Sequence, residues 1–201
     1  MYRRSHPKTS PWHFVNVPQG IRTIDLTRDC SGPEGCATSQ VELRRRQLKS
    51  HDPSIDKVLA LRVLLHAVGD EHQPLHVTSE NGNRGGNDIK GRFMGREISM
   101  HAVWDSALLA SAGLPWQDVT KDLEQKITSG ERRKWSRGRH VSWANESLAI
   151  SRDSKTGYDG QKSGFEFSEA YAEENLPVVY DRLSRAGVRL ALLLNEIFAA
   201  R

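Results

Sequence analysis

The segment LLHAVGDEHQPLHV (residues 64–77) decides how this chain is read. It gathers His66, Asp70, Glu71, His72 and His76 into eleven residues of an otherwise apolar stretch. A buried imidazole needs a hydrogen-bond partner or a metal. On a helix, His66 and Asp70 lie four apart and share one face. Apolar residues at Val58, Leu59, Leu61, Val63, Leu64, Leu65 and Val68 are too dense for a surface helix and predict a buried one. Asp52-Pro53-Ser54 reads as its start and Pro74 as its end or kink. His76 falls just beyond, where the chain changes direction.

The same spacing returns in HAVWD, as His101 and Asp105. Of the eight histidines, four (His66, His72, His76 and His101) lie within 36 residues. One His-x-x-x-Asp pair reads as a helix-surface hydrogen bond. Two such pairs plus His76, on apolar helices, point to a metal. Nitrogen and oxygen donors without thiolate suit zinc, and several carboxylates allow a polynuclear site.

The 201 residues suffice for one domain, 1–201, with a sizeable core. A net charge of +4 mildly favours an anionic partner such as nucleic acid, although a solvated basic surface is the plainer reading of charge alone. No apolar run approaches the roughly 20 residues of a membrane span. The opening MYRRSHPKTSPW has basic residues but no apolar core of a secretory signal.

Residues 1–36 are rich in Pro and Gly and read as loops, and 37–50 as a polar helix. IKGRFMGREI (89–98) predicts a hairpin, the only plausible sheet. Residues 100–113 return to helical spacing, and 116–130 form an amphipathic helix ending at Gly130. ERRKWSRGRH reads as a basic loop and VSWANESLAISRD as a helix, which also carries an unused-looking sequon at Asn145. Near the C-terminus, Val178, Val179, Leu183, Val188, Leu190, Leu192, Leu193, Ile197 and Phe198 make a helical core stripe. The predicted class is all-α, a single helical domain with a small β-hairpin. Cys30 and Cys36 close a loop containing Gly32, Pro33 and Gly35, so a disulfide is sterically easy and implies an oxidising compartment. Two free thiols are the alternative. A zinc ribbon would need a second cysteine pair, which the sequence lacks.

In this order, HAVGDEHQPLH, GGNDI and HAVWD resemble the single-strand-specific zinc nucleases of the S1/P1 type, with bacterial zinc phospholipase C a more distant relative. PWHFVNVP, CSGPEGC, WANES and AGVRLALLLNEIF also fit in order, from about Trp12 onward. The resemblance implies the helical phospholipase C/nuclease fold with three zinc ions. It implies hydrolysis of single-stranded DNA or RNA and of 3′-nucleotides to 5′-phosphate products. It further implies a monomeric protein, secreted or periplasmic. By matching motif, His13, His66 and Asp70 bind a first zinc, and His76, His101 and Asp105 a second. Asp70 bridges the first to a third and has the most demanding catalytic role. His72 orients a ligand through its other hydrogen bond, and Glu71 is solvated. Phe14 stacks on a base, Asn16 stands where the fungal enzymes have an Asp contacting the base, and Asn87 contacts substrate. Trp104 and Trp143 are core residues. The basic run from Arg132 to His140 and the triplet Arg44-Arg45-Arg46 are solvated.

One departure stands out. Family members carry, ahead of the WHF motif, an N-terminal Trp whose amine and carbonyl bind the third zinc, then a His and an Asp. Only eleven residues precede Trp12 here, and His6 is too close to His13 to match that early His. The third zinc then keeps only Asp70, the first lacks a carboxylate, and the second keeps a full set. A zinc endonuclease and 3′-nucleotidase is the leading expectation. The alternative is a catalytically impaired remnant that binds zinc or nucleic acid without cleavage. A phospholipid-headgroup phosphodiesterase would have Glu at the position of Asp105.

Overall fold

The computed structural model describes residues 7–199, so His6 lies outside the described residues. A 3-10 turn, Pro7–His13, leads into an extended segment, and α1 is a single turn, Leu26–Asp29. Helices α2 (Ala37–Lys49) and α3 (Lys57–His72) follow and pack against each other. Pro74–Val77 is a 3-10 turn, and the hairpin strands are β1 (Lys90–Phe93) and β2 (Arg96–Ser99). Helix α4 spans 100–111, α5 is Trp116–Lys126, α6 is Ser129–Trp135 and α7 is His140–Ser151. Strand β3 (Phe165–Phe167) precedes the long α8, Glu169–Phe198.

The class is helical with a small sheet, as the hydrophobic pattern predicts. Three buried clusters hold it together. Val41, Leu48, Ala60, Leu64, Val68, Trp143 and Leu193 join α2, α3, α7 and α8. Val15, Val17, Ala37, Val77, Ala144 and Leu148 pin the extended N-terminal segment across α7. Leu75, Met100, Trp104, Leu108, Tyr158 and Phe165 seat α4 against the sheet. Trp104 and Trp143 are therefore core residues. Cys30 and Cys36 form a disulfide, with Cα atoms 5.2 Å apart.

Several expectations shift. Helix α3 starts at Lys57, because Asp56 rather than Asp52 caps it and accepts from the Leu59 N–H at 2.8 Å. Asp52 instead closes its own turn onto the Ser54 N–H. Not all of its apolar positions are buried: Val58 and Leu65 are exposed. Helix α5 ends at Lys126 rather than Gly130, because Thr128 opens a new helix through a capping box with Glu131. The expected basic loop is therefore largely helix α6, with Arg132, Arg133 and Lys134 exposed and Trp135 buried. The hairpin turns at Met94-Gly95, both at positive φ, as a tight turn requires. It also gains a third strand, since β3 pairs in parallel with β1. Of the arginine triplet, Arg44 is buried and lies over the Trp12 ring, while Arg45 and Arg46 bond Glu42. Asn145 accepts from the Ile24 N–H at 2.8 Å, so the sequon's side chain is occupied within α7.

Helix α8 runs through Pro177 without a break, and its buried face is not the apolar stripe alone. Leu183 and Phe198 are exposed, whereas Arg182 and Arg189 are buried. Both guanidiniums converge on Glu146 of α7. Arg182 Nη1 donates to Oε2 at 2.7 Å and Arg189 Nη2 to Oε1 at 2.6 Å. Arg182 also donates to the His72 carbonyl at the end of α3, and Arg189 to that of Trp135. Partial burial works against ionisation of Glu146, but the two arginines outweigh it and hold its pKa down to about 2. Removing one partner of such a cluster leaves buried charge uncompensated, at a cost of about 3 kcal/mol or more. Glu146→Gln is therefore expected to lower stability by about 2 kcal/mol at neutral pH, less than for a sealed cluster because the Glu146 side chain is 36% exposed, read from urea unfolding. A carboxylate depressed in the folded state stabilises above its unfolded pKa. The wild-type advantage should fade as pH falls from about 4.5 toward about 2.

Candidate metal centre

Four segments deliver the histidines and aspartates to one cleft. Helix α3 carries His66 and Asp70 on one face. The Pro7–His13 turn ends at His13, and the chain beyond it runs beside the Pro74–Val77 turn, where the Val15 N–H donates to the His76 carbonyl at 2.7 Å. Pro74 stops α3 and redirects the chain, so that His76 comes back toward Asp70. Helix α4 brings His101 and Asp105, with a π turn at Val103–Ala107 between flanking α-helical turns. Such single π turns are frequent at functional sites.

The six residues fall into two groups, His13 with His66 and Asp70, and His76 with His101 and Asp105. In the first, His13 Nδ1 lies 2.7 Å from His66 Nε2, and Asp70 Oδ2 is 3.1 Å from each. In the second, Asp105 Oδ1 lies 3.1 Å from His76 Nε2, and Oδ2 lies 3.3 Å from His101 Nε2. A tetrahedral zinc with bonds of 2.0–2.1 Å separates neighbouring donors by about 3.3 Å. The donor types and these spacings fit such an ion in each group. The second oxygen of Asp70, Oδ1, is 3.4 Å from His76 Nδ1, on the side of that ring away from Asp105.

The backbone fixes which imidazole nitrogen is free. The Nδ1 of His76 bonds the His13 carbonyl at 2.5 Å, and that of His101 bonds the Gly85 carbonyl at 2.8 Å. Both Nε2 atoms are left pointing at Asp105. Position 85 must be glycine, because it sits at φ +60° and a Cβ there would lie 2.3 Å from the Leu75 carbonyl oxygen. Burial raises the pKa of Asp70, but the bonds from His13 and His66 win and hold it below the usual carboxylate range. Asp105 is likewise held far down, burial being outweighed by His101 and His76. The bond to Asp70 raises His66, and Asp105 raises His76 against the effect of its burial.

The other expected residues are placed as follows. Phe14 is half-buried and Asn16 exposed. Both line a cavity of about 420 Å³ with His13, His76, Arg84 and Asn87. Asn87 also lines a larger cleft of about 660 Å³ that contains both groups and a wall of Leu109, Val179 and Leu183. His72 does not orient a metal ligand. Its Nδ1 bonds the Val68 carbonyl at 2.7 Å and its Nε2 accepts from Arg189 at 2.9 Å. Burial, with Arg182 adding to it, pushes its pKa well down and keeps it neutral. Glu71 is not solvated but wholly buried, and burial pushes its carboxyl well above the usual range. The packing of α2 against α3, which covers Glu71, is invisible to local pattern. Sequence reasoning also missed Gln73, whose side-chain amide reaches Asp105 at 2.7 Å.

Comparison with known proteins agrees with this geometry. The chain matches the sequence profile described as S1/P1 Nuclease over residues 1–199. It is 31% identical to Endonuclease 1 of Arabidopsis thaliana, across 95% of this chain and 69% of the relative. Nuclease S1 of Aspergillus oryzae is 28% identical over 94% of this chain and 72% of its own length. Nuclease P1 of Penicillium citrinum is 28% identical over 92% and 76%. The chain therefore belongs to the S1/P1 nuclease family, hydrolases that act on the ester bonds of nucleic acid.

Proposed function

We propose that this chain hydrolyses phosphodiester bonds of single-stranded DNA and RNA, and 3′-nucleotides, leaving 5′-phosphates, with zinc as its metal. The observation that carries the proposal is the pair of His/Asp groups in one cleft, beside which Asp70 is a nearly buried carboxylate whose Oδ2 meets His13 and His66 and whose Oδ1 lies against the His76 ring. When bound, zinc supplies Lewis acidity that offsets phosphate charge and lowers the pKa of water. His13, His66 and Asp70 would hold one ion and His76, His101 and Asp105 another.

Recognition follows from the adjoining cavity. Phe14 offers a ring on which an unpaired base stacks, and Asn16 offers an amide that both donates and accepts. In a duplex the base faces are already stacked, so this arrangement favours single strands. Asn87 lies where the two cavities meet, beside the expected path of the backbone. A single-domain enzyme acting as a monomer completes this reading. The Cys30–Cys36 disulfide supports an oxidising compartment, secreted or periplasmic. No described helix is long and apolar enough to cross a membrane.

A second reading has one observation in its favour. The His66 side chain is 58% exposed, against 12% and 13% for His76 and His101. A chain that filled only the better-shielded group would bind zinc and nucleic acid without cleaving it. Hydrolysis of a single-stranded oligonucleotide, with a duplex of the same sequence as control, separates the two. Cleavage of the single strand that chelation stops and zinc restores is the expected result. Asp70→Ala should bring hydrolysis below detection and weaken zinc binding at both groups. Full activity in that variant would end the reading. Phe14→Ala should raise KM for oligonucleotides about tenfold, the loss of one base stack.

A further inference from the structure

Gln73 occupies the junction between two elements that carry three of the six candidate ligands, His66, Asp70 and His76. It follows α3 directly, and its N–H donates to the Asp70 carbonyl at 3.1 Å. It also begins the 3-10 turn that bears His76, and its own carbonyl accepts from the His76 N–H at 3.1 Å. Its side-chain oxygen accepts from the Leu75 N–H. That backbone donor settles the orientation of the amide, because only the oxygen can face an N–H. The NH2 group must then point the other way. There it meets Asp105 Oδ1 of α4 at 2.7 Å, a distance typical of a bond to a charged acceptor.

We infer that Gln73 is a positioning residue for Asp105, fixing that carboxylate for the second metal group. A carboxylate on a helix surface has a free terminal torsion, and Asp105 has a side chain 42% exposed, so little else restrains it. Among the described residues its oxygens meet His76, His101 and Gln73. Both imidazoles are themselves candidate ligands, which leaves Gln73 as the contact that remains once their nitrogens turn to a metal. The amide is neutral, so it orients the carboxylate without competing for the cation or cancelling the negative charge. Outer-sphere partners of this kind change metal affinity about 10–100-fold when removed. The link also runs through one residue from the Asp70 backbone to the Asp105 side chain, so it sets the two groups in register.

This inference rests on the reading of His76, His101 and Asp105 as a metal group, and its test separates the two. Zinc dissociation constants are measured by chelator competition on the full chain, for wild type, Gln73→Asn and Gln73→Met. Repeating the titration in the His66→Ala background isolates the second group. Asparagine is the informative replacement. It is a strong helix cap and still accepts from the Leu75 N–H, but it is one methylene too short to reach Asp105. Both variants should fold, by circular dichroism and thermal unfolding, and bind the second zinc at least tenfold more weakly than wild type. Wild-type affinity in Gln73→Asn would show that Gln73 merely caps its turn and would overturn the inference. Failure of the His66→Ala variant with Gln73 intact to bind zinc would overturn the metal group itself.

Discussion

Asp70 is a carboxylate almost closed off from water and faced by three imidazoles, and the remainder of the fold serves that meeting. Desolvating a carboxylate costs several kcal/mol unless partners compensate. Here they come from three places: His66 one turn back on the same helix, His13 from a turn more than fifty residues upstream, and His76 from beyond a proline. Each contact favours the ionised form, which burial alone would suppress. An ionised, nearly buried carboxylate beside imidazole nitrogens is the donor set a divalent cation takes up, displacing the protons that the imidazoles hold without it.

Holding that constellation demands a rigid α3. Its apolar face packs on α2, and its C-terminal end is clamped by Arg182, which donates to the His72 carbonyl while bonded to Glu146. Arg189 meets His72 from the other side, so this histidine is part of the clamp. The extended segment after His13 is stitched to the Pro74–Val77 turn by backbone bonds and to α7 by a buried cluster. The Gly85 carbonyl aligns His101 from the opposite wall. His76 and His101 are thus held by backbone carbonyls of a second element, and Asp105 by the Gln73 side chain, which limits rearrangement when an ion enters.

Much of this was legible in residues 64–77 and in HAVWD, because i, i+4 spacing on a helix is a local property. The grouping of His13 with His66 came from resemblance rather than periodicity, since no local rule brings residue 13 to residue 66. What local pattern could not reveal is equally specific. The apolar stripe of α8 carries no sign that Arg182 and Arg189 are buried, as they are against Glu146 of α7. Glu71 reads as solvated beside Asp70, yet α2 covers it. Thr128 and Glu131 together outcompete Gly130 as the local signal, because a capping box satisfies orphan donors that a glycine leaves open. The third strand adds to the hairpin from some seventy residues away, a pairing that only tertiary structure specifies.

The most direct measurement is elemental analysis of zinc bound per chain after exhaustive dialysis of the 201-residue protein. Two or more zinc ions per chain, one for each His/Asp group, is the predicted result. One ion or none in a folded chain would contradict a centre built on Asp70 between two filled groups.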